Sequence, residues 1–389
     1  MRIAIDCRPI VSPEKGEMAG IGHYARFLVR HLLKIDEENR YTLFFDERAS
    51  RGTMSEIIGS ARNAEAKALP LSRFKKLLPY AYSHRYVSSA IAKSEADVYH
   101  GTTGSLPMAY RGRSVITVHD LAIYSRPEWF PGGQFFSRRF VVPASVRNAT
   151  KVIAVSNFTK REIQRVFAVP SEKIAVVYEG VEPPPPESWE TPPPKELRKP
   201  YILYLGTIEP RKNVEGLVRA YASLAERFPK LVGATELVIA GGRGWKSEKA
   251  FAAIEQANKR LAHAGPRVRI LGYVPDKEKH ALMAHAMMFV FPSWHEGFGL
   301  PVLEAMNLGV PVITSNLTAL PEIAGRGAAL LVDPGREAEL SLAMKHLLED
   351  DLKRAELGRR GLERSTEYRW DKTAGETLEV YEEAAKAGR

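Results

Sequence analysis

Short apolar runs alternate with longer amphipathic ones along the chain, the pattern of parallel sheets covered by helices. In the first half, Arg2–Asp6, Tyr41–Phe45, Asp97–His100, Ser114–Val118, Lys151–Val155 and Ile174–Tyr178 predict strands. Ile21, Ala25, Leu28 and Leu32 recur at helical spacing and predict a helix over Ile21–Lys34. The alternation stops at Val181–Pro200, where Pro183–Pro186, Pro192–Pro194 and Pro200 can continue neither a helix nor a central strand. It then restarts with strand Tyr201–Leu205, helix Val214–Arg227, strand Glu236–Ala240, helix Lys246–Ala262 and strand Val268–Leu271. Helix Lys277–Ala286, strand Met288–Phe291, helix Pro301–Leu308 and strand Val310–Thr314 follow. A last helix is expected over Tyr368–Ala387, with Trp370, Leu378 and Tyr381 on a mixed face.

This pattern predicts an α/β protein of two open sheets, and 389 residues are too many for one ordinary core. The expected first domain is 1–182, the proline-rich stretch 183–200 is a stiff linker, and the second domain is 201–369. The closing helix, about 370–389, either caps the second domain or packs back on the first. Ligands of open α/β sheets bind beyond the carboxyl ends of the strands. Polar residues at those ends are therefore the candidates for chemistry.

Composition narrows the class. Hydrophobic residues at 44% and charged residues at 26% are globular values. No run approaches the roughly 18 apolar residues of a membrane span. The start, MRIAIDCRPIV, has Asp6 and Arg8 inside its apolar stretch and reads as a first strand, not a secretory leader. The single cysteine, Cys7, excludes an intramolecular disulfide and a cysteine-based zinc site, and fits a cytoplasmic protein. It is expected to be a buried packing residue.

The net charge of +10 suits nucleic acid, an anionic membrane surface or phosphorylated substrates. Arg73, Lys75 and Lys76 sit among Leu71, Phe74, Leu77, Leu78 and Tyr80, as in a membrane-surface segment or a half-buried helix. The first of these two readings would allow peripheral contact with the inner face of the plasma membrane. No nucleic-acid module is recognisable, and no nucleic-acid partner is expected.

The strongest chemical signal is Glu296-Gly-Phe-Gly-Leu-Pro-Val-Leu-Glu304. Glu296 falls in a strand-to-helix loop, and Glu304 in the first turns of a helix that can start at Pro301. Gly297 and Gly299 let backbone N–H groups approach a ligand at a helix N-terminus, which favours anions. A partly helical separation of eight residues spaces the carboxylates by about 10 Å. A glycosidase pair flanks one bond at roughly 5–9.5 Å. Two glutamates on one loop and helix instead suit hydroxyl groups at two ends of a ligand with phosphate between. For Glu304 alone, a solvated helix glutamate is the plainer alternative.

Arg211 and Lys212 lie just past the strand Tyr201–Leu205, where guanidinium and ammonium can take a phosphate. Gly20 and Gly22 precede the first long helix and allow close backbone approach to phosphate or sugar. The fuller dinucleotide fingerprint is absent, because Ala25 stands at the third glycine and the loop is too long. His119 and Asp120 end another strand. His119 reads as a hydrogen-bonding group in the cleft or as a satisfied core histidine. His100 is its only obvious companion for a metal, too few for a site. No D-x-D occurs, and Asp350-Asp351 reads as helical surface charge. Charge compensation then falls to Arg211, Lys212 and helix N-termini, and no essential metal is expected.

Together these segments resemble the retaining glycosyltransferases of family GT4. The resemblance runs through the early glycine loop, HGT at His100–Thr102, VHDL at Val118–Leu121 and VSNFTK at Val155–Lys160. It continues through YLGTIEPRKN, GYVPD at Gly272–Asp276, PSWHEGFGLPVLEAM and Trp370. It implies the GT-B architecture, two Rossmann-like domains facing across a cleft, and a nucleotide-diphosphate sugar as co-substrate with no other cofactor. By the same resemblance Glu296 contacts the donor sugar near its 3-hydroxyl and Glu304 holds the ribose hydroxyls. Phe298, Gly299 and Leu300 give backbone N–H groups to sugar and phosphate, and Arg211 and Lys212 bind the diphosphate. The backbone at Tyr273 and Val274 meets the base, Gly20 and Gly22 line the phosphate side, and His119 meets the sugar 6-hydroxyl. Many relatives carry an arginine directly after the glycine of YLG, where this chain has Thr207. Whether Arg211 takes over that phosphate contact stays open.

The resemblance further implies front-face retention, with the leaving phosphate oxygen helping to deprotonate the acceptor. Preorganised charge and positioning would supply the catalysis. The HGT…HDL pattern is most similar to bacterial mannosyltransferases of surface-polysaccharide (lipopolysaccharide) assembly, implying GDP-mannose as donor and a glycan or lipid-linked acceptor. The competing readings are a nucleotide-sugar epimerase or hydrolase on the same scaffold, and a non-enzymatic basic binding protein.

Overall fold

The structure, a computed structural model, describes residues 1–11, 20–69, 81–194, 197, 200–263, 265 and 267–387. The basic-apolar stretch expected around Arg73–Tyr80 lies outside the described residues. The chain forms two compact units. One comprises Met1–Tyr124, Gly132–Gly180 and Tyr368–Arg389; the other comprises Ser125–Pro131 and Val181–Glu367.

The first unit is built on seven parallel strands: β1 (Arg2–Asp6), β2 (Arg40–Asp46), β3 (Ala64–Leu69), β4 (Val98–Gly101), β5 (Ser114–Val118), β6 (Lys151–Ala154) and β7 (Ile174–Val176). Their order is β3-β2-β1-β4-β5-β6-β7. The inner strands β4 and β5 are buried along their whole length and so show no alternation of buried and exposed positions. The edge strand β3 was not expected. Its sequence, AEAKAL, favours helix by propensity, yet it pairs along β2 from Tyr41↔Ala64 to Asp46↔Leu69. Glu65 and Lys67 stay near solvent, as suits an edge.

Helix Ile21–Ile35 covers one face with Tyr24, Leu28 and Leu32, and the closing helix Trp370–Lys386 packs in the same core. Trp370 stacks on Phe27 at 5.6 Å between ring centroids. Deeper in, Tyr381 shares a 2.6 Å hydrogen bond with His100 Nδ1. The chain passes so close at Gly180 that an added Cβ would lie 2.3 Å from the Trp370 nitrogen. Cys7 is buried here with a free thiol.

The second unit has six parallel strands: β8 (Tyr201–Leu205), β9 (Glu236–Ala240), β10 (Val268–Gly272), β11 (Met288–Phe291), β12 (Val312–Ser315) and β13 (Leu330–Val332). The order is β10-β9-β8-β11-β12-β13. Helices follow the strands in alternation, including Val214–Arg227, Glu248–Arg260, Asp276–Ala284 and Leu300–Asn307. Of the pair Asp350-Asp351, Asp351 is exposed charge in the first turn of the helix Asp351–Ser365, whereas Asp350 lies between two helices. Asp350 ends the helix Glu337–Glu349 and caps the next, its Oδ1 accepting the Lys353 N–H at 2.8 Å.

The proline-rich stretch groups with this second unit and is not a free spacer. Proline has no N–H to join a ladder, and the carbonyls just before two of these prolines are held by side chains of the second unit. Asn307 Nδ2 donates to the Glu182 carbonyl at 2.7 Å, and His285 Nε2 to that of Thr191 at 3.0 Å. Ser125–Pro131, inside the expected first domain, also groups here. The Trp245 indole donates to the Trp129 carbonyl at 2.8 Å, and Lys246 Nζ to that of Glu128 at 2.6 Å. Among the described residues no helix is long and apolar enough to cross a membrane.

Candidate functional site

In the second sheet, chain order reverses where β8 lies beside β11, the position at which doubly wound sheets open toward a ligand. Past β8 runs Gly206-Thr207, then a single 3-10 turn, Pro210–Lys212. Past β11 runs Pro292–Gly299. Two bonds to the Arg211 carbonyl join these loops, from the Trp294 N–H at 2.9 Å and Ser293 Oγ at 3.0 Å. The Glu296 backbone is held on both sides. Its N–H donates to Thr318 Oγ1 at 3.1 Å, and its carbonyl accepts from Ala319 at 3.3 Å.

With both backbones fixed, the side chains meet. Lys212 Nζ donates to Glu296 Oε1 at 2.6 Å, and Arg211 Nη1 to Glu296 Oε2 at 3.1 Å. Arg211 also donates from Nε and Nη2 to Glu209 Oε1 at 3.1 and 2.9 Å, and from Nη1 to the His295 carbonyl at 2.8 Å. Side-chain exposure is 8% for Glu296, 14% for Arg211 and 12% for Lys212. Burial pushes the Glu296 carboxyl up, but Lys212 and Arg211 outweigh it and hold its pKa at about 2. Burial, then Arg211, push Lys212 below the usual lysine range against the pull of Glu296. The ammonium also lies 5.0 Å from the Phe291 ring centre, which favours its charged form. Two carboxylates balance two cations in this network, so it is neutral as a whole. Glu209 was not singled out by sequence reading; only its partner Arg211 reveals it.

Gly299 caps the helix Leu300–Asn307 with φ of +113°, a value that favours glycine, and an added Cβ would meet Leu320 Cδ2 at 2.7 Å. The helix begins at Leu300, one residue before the expected start, with Pro301 inside its first turn. Phe298 is buried beside the cap. On the same helix Glu304 Oε1 accepts from Lys279 Nζ at 2.8 Å, and each side chain is only 11% exposed. Lys279 comes from helix Asp276–Ala284 and was missed; its one sequence signal is a lysine on a helix that buries Ala281, Leu282 and Met283. Tyr273 and Val274 follow β10, with Tyr273 exposed. Thr207 follows Gly206, and its carbonyl accepts from the Tyr204 hydroxyl at 3.2 Å.

In the first unit, His119 stands immediately past β5. Its Nε2 lies 2.9 Å from the Thr102 carbonyl, and its Nδ1 lies 3.1 Å from Glu179 Oε1. His100 belongs to the core: its ring nitrogens meet Tyr381 and, at 2.8 Å, Thr117, and burial lowers its pKa to about 3. Asp120 Oδ1 accepts from the Ala122 N–H at 3.0 Å. Gly20 caps the helix Ile21–Ile35, and Gly22 is buried in its first turn. Among the described residues no three His, Cys, Asp or Glu side chains are grouped as metal ligands.

Comparison with known proteins identifies the family. The pattern described as Glycosyltransferase Family 4 matches residues 18–183, and that described as Glycosyl transferases group 1 matches residues 187–364. The chain is 32% identical to O-antigen chain mannosyltransferase B of Escherichia coli, over 98% of this chain and 99% of that protein. It is 28% identical to O-antigen chain mannosyltransferase RfbU of Salmonella typhimurium, over 71% of this chain and 72% of that one. Sucrose-phosphate synthase from Thermosynechococcus elongatus shares the fold, with a TM-score of 0.76 at 21% identity over 98% of each chain. The chain therefore belongs to the family 4 glycosyltransferases of the GT-B fold class, and it is a glycosyltransferase.

Proposed function

We propose that the protein transfers mannose from GDP-mannose, with retention of anomeric configuration, to a glycan or lipid-linked acceptor in polysaccharide assembly, at the cytoplasmic face of a membrane. The observation that carries this reading is the Glu296–Lys212–Arg211–Glu209 network at the β8/β11 switch point. Its Glu296 lies in the same loop as the Gly299 helix cap, and Glu304 on the helix that follows pairs with Lys279 of the helix Asp276–Ala284. The names of the relatives as mannosyltransferases support the choice of sugar.

A nearly desolvated ammonium needs an anion, and Glu296 supplies it. A donor diphosphate can take over that role, which leaves the Glu296 carboxylate to accept from sugar hydroxyls. As the bond between the anomeric carbon and phosphate oxygen breaks, charge grows on the departing diphosphate. Lys212 and the backbone N–H groups around Gly299 are preorganised to meet it. The acceptor hydroxyl attacks the same face and passes its proton to the leaving phosphate oxygen. These groups supply the compensating charge, so the reaction is proposed to need no metal.

A thermal-shift panel of GDP-, UDP-, ADP- and dTDP-sugars, each with Mg²⁺ or with chelator, tests the reading. GDP-mannose should stabilise the fold most, equally in both conditions, and product NMR with an acceptor should show the donor's anomeric configuration. Stabilisation by another nucleotide, dependence on Mg²⁺, or an inverted product would each overturn the corresponding part. Fast donor hydrolysis or epimerisation without acceptor would favour the other enzyme class.

A further inference from the structure

One helical segment of the first unit turns aromatic and basic side chains to solvent. It runs from Phe135 into a single wide turn over Ser137–Val141 and then the regular helix Val142–Asn148. On one side Val141, Ser145 and Val146 are buried, and Val146 packs in the core that includes Ile116 and Ile163. On the other side Phe135, Arg139, Phe140 and Arg147 are exposed. Phe135 is 63% exposed, more than any other aromatic side chain among the described residues, and Phe140 is 49% exposed. The wide turn closes from the Val142 N–H to the Ser137 carbonyl, one residue further than in an α-helix, so Phe135 and Phe136 both reach the Phe140 ring. Their centroids lie 6.5 and 5.3 Å from it. The turn is anchored, since the Tyr124 hydroxyl donates to the Arg138 carbonyl at 2.8 Å and Arg138 Nη1 to that of Ile123 at 3.4 Å.

Single exposed apolar side chains are ordinary, but rings in mutual contact on the solvent face of a helix, which is normally polar, form a patch. The charges beside it are of one sign. No Asp or Glu occurs between Glu128 and Glu162, and Glu162 is turned inward, with 5% of its side chain exposed and a 3.1 Å contact to Arg165. We propose that this face docks the protein on an anionic lipid bilayer. The proposal gives a place to the membrane contact of the proposed function and rests on that contact, not on the donor or the sugar. The phenylalanine rings enter the boundary between headgroups and acyl chains, while Arg139 and Arg147 keep their guanidinium groups among lipid phosphates. Rings alone would suit any apolar partner, and arginines alone any anion. Side by side, with no acid among them, they match a surface that is apolar inside and negative outside. A second copy fits poorly, because a two-fold contact here gathers the arginines of both copies with no acid from this face between them.

The test measures co-sedimentation of the full chain with vesicles of equimolar phosphatidylglycerol and phosphatidylcholine, and with vesicles of phosphatidylcholine alone. The wild type should bind the anionic vesicles more tightly, and high salt should weaken that binding. Phe135→Ser combined with Phe140→Ser should lower the partition constant on anionic vesicles by at least about tenfold. Arg139→Ser should lower it about fivefold there and leave binding to phosphatidylcholine unchanged. All three side chains are exposed, so the urea midpoint of each variant should match the wild type. Equal binding by wild type and variants would overturn the assignment of this face while leaving the membrane reading in place. If the loss falls instead on Lys75→Ser combined with Lys76→Ser, the contact belongs to the stretch Arg73–Tyr80 and the proposal fails. It fails too if the wild type binds no anionic vesicle, or if the phenylalanine variant abolishes self-association in place of vesicle binding. None of these readouts uses a donor, so they stand whichever sugar the protein transfers.

Discussion

The Lys212 ammonium and the Glu296 carboxylate lie 2.6 Å apart across 84 residues of sequence. One was expected to bind phosphate and the other sugar, as separate tasks on separate loops. Paired and nearly buried, they form one device whose charge is already balanced before a ligand arrives. Arg211 is bound still more deeply into it, through Glu209, the His295 carbonyl and Glu296. Its contacts within the protein orient Glu296, and this bears on whether it replaces the arginine absent at Thr207.

Glu296→Ala should be a poor probe of catalysis. Removing one partner of a buried pair leaves uncompensated charge, at a cost of about 3–5 kcal/mol. Glu296→Gln keeps the volume and one acceptor oxygen, and should fold with a smaller loss. Its kcat should drop by about 10² to 10³, read by release of nucleoside diphosphate, with urea midpoints measured alongside. Near-wild-type turnover in a folded Glu296→Gln would sink the assigned role.

Arg211→Lys separates orienting from phosphate binding. Lysine keeps one charge but loses the fork that holds Glu209 and Glu296 together. An orienting role predicts that kcat falls about tenfold, equivalent to about 1.4 kcal/mol, with donor KM nearly unchanged. A large rise in KM at constant kcat would instead mark Arg211 as a ground-state phosphate ligand.

Much of this was legible in the chain, for reasons that differ by residue. Strands such as Met288–Phe291 and Glu236–Ala240 are buried on both faces, so an unbroken apolar run identifies them. AEAKAL at Ala64–Leu69 was illegible because pairing with β2 overrides its local preference. Arg211, Lys212 and Glu296 could be placed at strand ends from the apolar pattern and the flanking Pro292 and Gly206. Their mutual ion pairs could not, since these depend on which strands become neighbours. Glu179, Glu209 and Lys279 have no motif of their own. Glu179 and Lys279 are defined by partners that the fold brings close from 60 and 25 residues away, and Glu209 by Arg211, two residues on, which the fold turns back onto it.

Lys279 should matter to donor affinity more than to turnover. Its bond orients one oxygen of Glu304, the residue proposed to hold ribose hydroxyls. Lys279→Met keeps the apolar stem and loses a charge-assisted bond, and should raise donor KM by about tenfold. Lys279→Arg should recover most of the affinity. Calorimetric titration with GDP checks both, and equal affinity in wild type and Lys279→Met would remove Glu304 and Lys279 from the ribose reading.

His100 should make the first unit acid-sensitive in a defined window. Burial lowers its pKa from 6.5 to about 3, so between those values the unfolded chain binds a proton that the folded chain does not. Stability is therefore complete above pH 6.5 and declines as pH falls from 6.5 toward 3, by up to about 5 kcal/mol at 1.36 kcal/mol per pH unit. Glu296 contributes in the same direction lower down. Its lowered pKa makes its stabilisation full above 4.5 and lost toward about 2. The two are separable, because of this pair only His100 has its ordinary pKa above 5. Urea midpoints of wild type and His100→Gln, followed by Tyr and Trp fluorescence from pH 8 to 5, should coincide in slope above 6.5. Below it the wild type should fall more steeply, and because Tyr381 bonds to His100, the signal change should include the closing helix. Identical slopes throughout would mean that His100 is not the group that limits the fold in mild acid.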